Sequence, residues 1–199
     1  MLKTTGLPCL VVGGGKVALR KVLAVLRFGI SVTVVAEELA PGLRKLVERR
    51  WIRWRQRKFS PVDLLGTKMV IAATDDSQVN RRVAWWARRL NLYYNTVDHM
   101  ELSNFIFPAV YRSGALTVAV STQGYYPAAA RKIKREFARN YGTVYREYLE
   151  KLRGYRERIK KAEPCPKRRR AILNQLLNVS VEQVIHWSEA DFGVWLERE

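Results

Sequence analysis

Cysteine is nearly missing from this chain. Of 199 residues only Cys9 and Cys165 are cysteines, which excludes a disulfide framework and a cysteine metal cluster. Histidine is as scarce: His99 and His186 stand far apart in the chain. A lone histidine makes no ligand set, so no permanent metal site is expected. No apolar run approaches the length of a membrane span. The start, Met1 to Leu10, has neither the long apolar core nor the small-residue cleavage site of a secretory leader. A cytoplasmic chain with no membrane partner is therefore expected. Acids are also short, 18 against 36 bases, for a formal net charge of +18. Such a surface draws polyanions. Nucleic acid, a heavily carboxylated small molecule and a merely solvated basic surface all remain open. Apolar residues are not lacking: 48% hydrophobic content suffices for a substantial core.

What the chain does have is a glycine turn near its start. The apolar run Leu10-Val11-Val12 ends in Gly13-Gly14-Gly15, and a helix-forming stretch, Val17 to Leu26, follows at once. Gly13, Gly15 and Ala18 spell G-x-G-x-x-A, a dinucleotide fingerprint. Gly13 permits the tight turn, Gly15 lets backbone approach a pyrophosphate, and Ala18 lets the helix lie close to the strand. The N–H groups at the start of that helix suit an anion. Glycine-rich turns also arise for packing alone, so the context has to decide. A second strand, Ser31 to Ala36, ends in Glu37 and Glu38, where an acid can meet an adenosine ribose hydroxyl. Lys16 is followed by Val17 rather than Ser or Thr, which excludes a Walker phosphate loop.

The rest of the first half repeats the alternation. Leu39 to Arg50 reads as a helix, and Trp51-Ile52-Arg53-Trp54-Arg55 reads as an edge strand with a solvated face. Ser60-Pro61 marks a further helix start. Met69 to Ala73 is a buried strand ending in Thr74-Asp75-Asp76, an arginine-dense helix runs to Leu90, and Leu92 to Asp98 is another strand. The fold class is α/β, a doubly wound parallel sheet. Ligands of such sheets lie beyond the carboxyl ends of the strands. Gly13 to Gly15, Glu37, Thr74 to Asp76 and Asp98 all fall there.

After Phe105 the pattern changes. Ala109 to Arg112 and Leu116 to Ser121 read as a hairpin about Ser113-Gly114, and a long helical pattern begins at Ala128. Cys165 to Arg170 reads as a break before a helix from Ala171 to Leu177. A last helix is expected from Val181 to Trp187, capped by Ser180.

These residues together resemble the siroheme synthase family, NAD-dependent precorrin-2 dehydrogenases of which some are also sirohydrochlorin ferrochelatases. The resemblance lies in Val11-Val12-Gly13-Gly14-Gly15-x-Val17-Ala18-x-Arg20-Lys21 and in Ala72-Ala73-Thr74-Asp75-Asp76-x-x-Val79-Asn80. It continues through Asn95-x-Val97-Asp98, Phe105-Ile106-x-Pro108-Ala109 and Ser121-Thr122-x-Gly124-x-x-Pro127-x-x-Ala130-Arg131. It implies a Rossmann-like NAD-binding domain over 1–107, a small α+β dimerisation segment over 108–141 and a C-terminal helical domain over 142–199, working as a homodimer. The implied reaction oxidises precorrin-2 to sirohydrochlorin with NAD, and in some members ferrous iron is then inserted as a substrate.

By motif position Asp98 matches the family's key aspartate, the general base. Gly13, Gly14, Gly15, Lys16, Val17, Glu37, Glu38, Thr74, Asp75 and Asp76 fall on the cofactor side. Asn95, Thr122, Arg112 and Arg131 fall to the tetrapyrrole. Glu37 and Glu38 would repel a 2′-phosphate, which favours NAD over NADP. A rim of acetates and propionates on precorrin-2 would account for basic residues around the cleft, and nucleic acid is then not expected as a partner. Tyr125-Tyr126 fills a loop where relatives carry small residues. The competing reading is a non-catalytic relative that holds NAD or tetrapyrrole, or a DNA-binding redox sensor, favoured by the charge and by the arginines from Arg81 to Arg89.

Overall fold

A computed structural model describes residues 4–198 and divides the chain into two compact units, Met1–Ile106 and Phe107–Glu199. Met1 to Lys3, part of the lead-in read above, lie outside the described residues. The first unit is built on β1 (Pro8–Val12), β2 (Ser31–Ala36), β3 (Ile52–Gln56), β4 (Met69–Ala72) and β5 (Tyr93–Thr96). All pairings are parallel, in the order β3-β2-β1-β4-β5. Helices α1 (Lys16–Leu26), α2 (Pro41–Glu48) and α3 (Ser77–Arg89) connect them. The doubly wound α/β reading is borne out.

Strand β1 lies at the centre because its residues can be buried on both faces. Leu10 and Val12 pack with Val70, Ala72, Val83 and Ala87 in one cluster. Val11 and Ile71, which point to the opposite face, are fully buried too. Cys9 sits in the same strand, and burial pushes its thiol up to about 12, which leaves it protonated and unreactive. Strand β3 takes the sheet edge, as its alternation predicts: Ile52 is buried while Arg53 and Arg55 are exposed.

The expected helix at Ser60-Pro61 is a correction. It forms one 3-10 turn, Pro61–Leu64, because Leu65 turns extended and Gly66 follows with φ +75°. The turn's work is to present Asp63, which is fully buried. Its carboxylate accepts from Arg55 at 2.7 Å, from Arg57 at 2.5 and 2.9 Å, and from the Ser60 backbone N–H at 3.0 Å. A buried carboxylate needs such partners to offset its desolvation.

The second unit opens with an antiparallel hairpin, β6 (Ala109–Ser113) and β7 (Leu116–Val120). A 36-residue helix follows, α4 (Pro127–Ala162), about 54 Å long at 1.5 Å per residue. Then come α5 (Pro166–Asn178), α6 (Val181–His186) and α7 (Glu189–Leu196). The hairpin packs on α4, where Tyr111 stacks edge-on against Phe137 at 6.0 Å. Further along α4, Tyr148, Tyr155 and Ile159 share a core with Ile172, Leu176, Val184 and Phe192. Tyr155 and Phe192 stack with centroids 3.9 Å apart. Because α4 runs unbroken across residues 141 and 142, the stretches 108–141 and 142–199 fall in one compact unit.

Two further differences concern helix ends. The basic run Lys167 to Arg170 does not break the helical pattern but forms the first turns of α5, with Pro166 at its start; the break is 163–165. A proline is tolerated at the first helical position, and charges on a solvated helix face cost little. Helix α7 escaped the sequence reading although its signal, Ser188-Glu189-Ala190-Asp191, is a capping box. Ser188 Oγ accepts the Asp191 N–H at 3.1 Å, and Asp191 accepts the Ser188 N–H at 2.7 Å. Ser188→Ala is expected to destabilise the protein by about 1 kcal/mol in urea unfolding followed by circular dichroism. The Ser188 hydroxyl, donating to the Asp191 carboxylate at 2.7 Å, and then the Ser188 N–H hold that carboxyl below its ordinary range. Its folded pKa is thus below the unfolded one, so its contribution is present above the unfolded pKa and lost as pH falls through the folded value.

Candidate active site

At the carboxyl ends of the strands a cavity of about 1200 Å³ opens. Its wall combines the turn after β1, the residues after β2 and those after β4. Gly13, Gly14, Gly15, Lys16, Val17, Glu37, Glu38, Thr74, Asp75 and Asp76 all line it. The site read from the sequence for a cofactor is therefore one continuous surface. It stands where the chain passes from β1 to its two neighbours, β2 and β4, the switch point of such sheets.

The three glycines do different work. Gly13 has φ +116°, and a Cβ there would run into the Ala73 carbonyl. A Cβ on Gly14 would meet the Glu38 carbonyl, and the Gly14 carbonyl accepts the Ala40 N–H at 2.8 Å. These two lock the turn to β4 and to the end of β2. Gly15 meets nothing within 4 Å. The backbone there is left open to a ligand. Gly15 also caps α1, whose first turn has no capping side chain and no acid. Unsatisfied N–H groups at that end, with Lys16 beside them, suit a pyrophosphate. The residues present fit a dinucleotide.

The acids on the wall differ in their freedom. Asp76 caps α3, accepting from Gln78 N–H at 2.8 Å and Val79 N–H at 3.2 Å. Thr74 donates its hydroxyl to Asn80 at 2.8 Å, and the Asn80 amide returns a bond to the Thr74 carbonyl at 3.0 Å. Glu37 and Glu38 are exposed at the mouth. Arg57 and Lys58, after β3, line the same cavity, but Arg57 is already committed to Asp63.

Asp98 stands just past β5, exposed, and is not among the residues that line this cavity. Partial desolvation pushes its carboxyl up. Hydrogen bonds from Asn80, its own backbone N–H and Ser77, with the His99 charge, outweigh that and hold it below the ordinary carboxylate range. Asn80, bonded to the β4 turn, thus also bears on the Asp98 carboxyl. Strand β5 ends at Thr96, two residues short of the expected end, so Asp98 belongs to a loop.

That loop is tied down by groups far apart in sequence. Asn95 is buried; its carbonyl accepts from Lys21 Nζ at 3.0 Å, and its amide donates to Phe105 O at 3.0 Å. The hydrogen bonds of this residue, expected at the tetrapyrrole, go into the protein and fix the exit of β5. Burial, then the charge of Arg20, pushes the Lys21 ammonium down to about 8. Ser103 Oγ accepts the Thr96 N–H at 3.0 Å, and Asn104 accepts the Tyr94 N–H at 2.7 Å.

The other expected substrate residues lie in the second unit. Thr122 accepts the Tyr126 N–H on its hydroxyl at 3.2 Å and the Tyr125 N–H on its carbonyl at 2.9 Å, closing the loop before α4. Tyr125 and Tyr126 are 78% and 72% exposed, so they extend from this loop. Arg112 and Arg131 are exposed on β6 and on the first turns of α4.

A family described as "Putative NAD(P)-binding" matches residues 1–109, more than half of the chain. The chain belongs to this NAD(P)-binding family. Members of the siroheme synthase group are its relatives. That of Methylococcus capsulatus is 40% identical over 173 residues, 85% of this chain and 36% of that protein. That of Methylobacillus flagellatus is 38% identical over 189 residues, 94% of this chain and 40% of that protein. The chain thus spans about two fifths of the length of these curated relatives. Among solved structures, SirC, precorrin-2 dehydrogenase, is similar with a TM-score of 0.79 and 26% identity, over 100% of this chain and 96% of that one. The resemblance read from the motifs and the Rossmann-like fold are borne out. Among the described residues no helix is long and apolar enough to cross a membrane.

Two parts of this site escaped the sequence. One is the clamp of Arg55 and Arg57 on buried Asp63 beside the cavity; Asp63 has no sequence mark that separates it from a surface acid. The other is the set of partners around His99, Ser77 and Glu101.

Proposed function

We propose that this NAD(P)-binding family member oxidises precorrin-2 to sirohydrochlorin, with NAD as the hydride acceptor, in siroheme biosynthesis. The observation that carries the reading is the glycine turn, closed by backbone at Gly13 and Gly14 and open at Gly15 onto a dinucleotide-sized cavity. The likeness to SirC along nearly the whole of both chains supports the substrate. Bound NAD supplies the acceptor for two electrons and one hydrogen. The chain does the rest. Gly15, the start of α1 and Lys16 hold the pyrophosphate, and Glu37 or Glu38 holds the adenosine ribose. Asp98, kept ionised by Asn80 and Ser77, takes the proton that leaves the macrocycle as hydride departs. Arg112 and Arg131, with Thr122, meet the carboxylate rim of the tetrapyrrole. Asn95 serves the site by fixing the exit of β5.

Four further parts belong to the proposal. The chain acts as a homodimer through its hairpin and α4, where Ile133, Tyr141, Val144 and Tyr145 leave an apolar, aromatic stripe exposed on one helix. The segments 108–141 and 142–199 then differ in role rather than in compactness. Ferrous iron is a second substrate, inserted into sirohydrochlorin with loss of two pyrrole protons; among the described residues no three His, Cys, Asp or Glu side chains gather to hold a resident metal. The protein works in the cytoplasm.

The test is anaerobic: precorrin-2 and NAD with purified protein, following NADH. NADH formed in proportion to precorrin-2 supports the reading, and none from protein that binds NAD overturns it. Cofactor choice is tested alongside. Like charges placed together at a partly screened site are costly. Joint replacement Glu37→Gln and Glu38→Gln is therefore expected to raise kcat/KM with NADP relative to NAD by about tenfold.

A further inference from the structure

Helix α3 carries four arginines and no acid over Ser77–Arg89. At about 100° per residue, Arg81, Arg82, Trp85, Arg88 and Arg89 fall within an arc of about 120°, opposite the buried Asn80, Val83, Ala84 and Ala87. All five are exposed. Trp85 is 51% exposed, and the Arg89 guanidinium lies 4.4 Å from its ring centroid. Among the described residues no carboxylate stands within ion-pair distance of Arg82, Arg88 or Arg89. The nearest acids in sequence, Asp75 and Asp76, precede the helix, and Asp76 is engaged in its cap. Solvated faces ordinarily intersperse both signs, and a strip of one sign steers ligands of the other. The strip also begins at the site. Arg82 lines the cavity of the glycine turn. Arg81 stands 3.5 Å from His99 Nε2, in the loop after β5 that carries Asp98. The first turns of α3 thus touch both the cofactor cavity and that loop.

We propose that the arginine face of α3 captures the carboxylate-rimmed substrate, an inference that rests on the precorrin-2 reading. Arg88 and Arg89 draw the polyanion in, and Arg82 holds one of its carboxylates at the wall of the cofactor cavity. Cations without acid partners keep their full field, which raises the encounter rate with a polyanion. The planar guanidinium of Arg82 offers two parallel N–H donors to a carboxylate, a geometry that an ammonium lacks. The stack on Trp85 orders the Arg89 guanidinium in advance, so less freedom is lost when a carboxylate arrives. Nucleic acid phosphates would meet the same cations. A strip that ends on a cavity wall favours a small polycarboxylate over a duplex, which needs an open surface.

Two variants separate drawing in from holding. Arg88→Gln with Arg89→Gln is expected to lower kcat/KM for precorrin-2 about fivefold at about 0.01 M salt, and the difference should vanish near 1 M, where charges are screened within about 3 Å. Arg82→Gln is expected to raise KM for precorrin-2 about tenfold, the scale of a lost charged hydrogen bond, with kcat and NAD affinity unchanged. A binding measurement needs no turnover: uroporphyrin, a stable porphyrin with a carboxylate rim, is titrated by quenching of tryptophan fluorescence. The triple variant Arg82→Gln, Arg88→Gln, Arg89→Gln should bind it at least tenfold more weakly, with unaltered thermal unfolding. If wild type forms no NADH yet shows this difference in uroporphyrin binding, the dehydrogenase reading falls and the capture surface stands. Unchanged kcat/KM and unchanged uroporphyrin binding in the triple variant overturn the proposal. Lost NAD affinity in Arg82→Gln with KM for precorrin-2 unchanged also overturns it, by making Arg82 a cofactor contact. Binding of a short DNA duplex that the triple variant loses, with precorrin-2 kinetics unchanged, gives the face to nucleic acid instead.

Discussion

Asp98→Ala should form NADH from precorrin-2 about 10²- to 10⁴-fold more slowly than wild type, the usual range for loss of a positioned base. The effect should lie in kcat, with NAD affinity unchanged, since Asp98 is not on the wall of the cofactor cavity. The same residue could act only as an anchor, because Asn80 and Ser77 both bear on its carboxyl. Asp98→Asn separates these roles. The amide keeps a hydrogen-bond acceptor for the anchor but cannot take a proton, so it should be as slow as Asp98→Ala; activity near wild type would assign Asp98 to the anchor. The pH dependence carries a further sign. With the carboxyl held below its ordinary value of 3.8, the base is still ionised at the pH where a free aspartate is half protonated. The acidic limb of kcat/KM that belongs to Asp98 should therefore fall below about pH 4. A limb centred well above that would reject Asp98 as the group that titrates.

The glycine turn should give opposite outcomes at two positions two residues apart. Gly13→Ala meets a positive φ and the Ala73 carbonyl together. It should destabilise the first unit by about 1–3 kcal/mol from strain alone, and by more where β4 must shift. NAD binding should be lost with it. Gly15 has φ −82° and open space around its missing Cβ, so alanine fits the free protein. Gly15→Ala should leave unfolding unchanged or slightly harder, because the unfolded chain loses freedom. Its NAD affinity should nevertheless drop by about tenfold or more, the methyl standing where phosphate approaches. Thermal unfolding and calorimetric NAD titration of the two variants read both quantities. Equal stability of the pair would mean that the turn is not locked as described, and unimpaired NAD binding by Gly15→Ala would move the pyrophosphate elsewhere.

The elements legible in the sequence are those whose signal is local. Leu10 to Val12 announces a buried strand and Gly13 its end, and the alternation of Ile52 to Arg55 announces an edge. The cofactor wall was legible for the same reason, since each of its pieces follows directly on a strand. What stayed hidden depends on partners brought together by the fold. Lys21 meets Asn95 across 74 positions, and His99 meets Ser77 across 22. Nothing in the neighbours of Asn95 says that its amide is spent inside the protein. The misread turn at Pro61–Leu64 has a similar origin. Ser60 and Pro61 start a helix as well as a 3-10 turn, and the ending is decided by Gly66 and by the pull of Arg55 and Arg57 on Asp63. The basic run at the start of α5 misled in another way, by composition: four cations in a row look like a linker, but Pro166 and a solvated face make them a helix start.

The central place of β1 also bears on how the chain emerges during synthesis. One edge of β1 is covered by β2, but the other waits for β4, and between Val12 and Met69 lie the residues of two helices, two strands and a turn. At about 5–20 residues per second, a ribosome takes roughly 3–11 s to supply the missing neighbour. Throughout that interval β1, joined in turn by β2 and then β3, keeps an unpaired edge of apolar residues, the kind of edge that pairs with other chains. The strand on which the cofactor turn is mounted is thus the one that depends longest on a chaperone or on simple dilution.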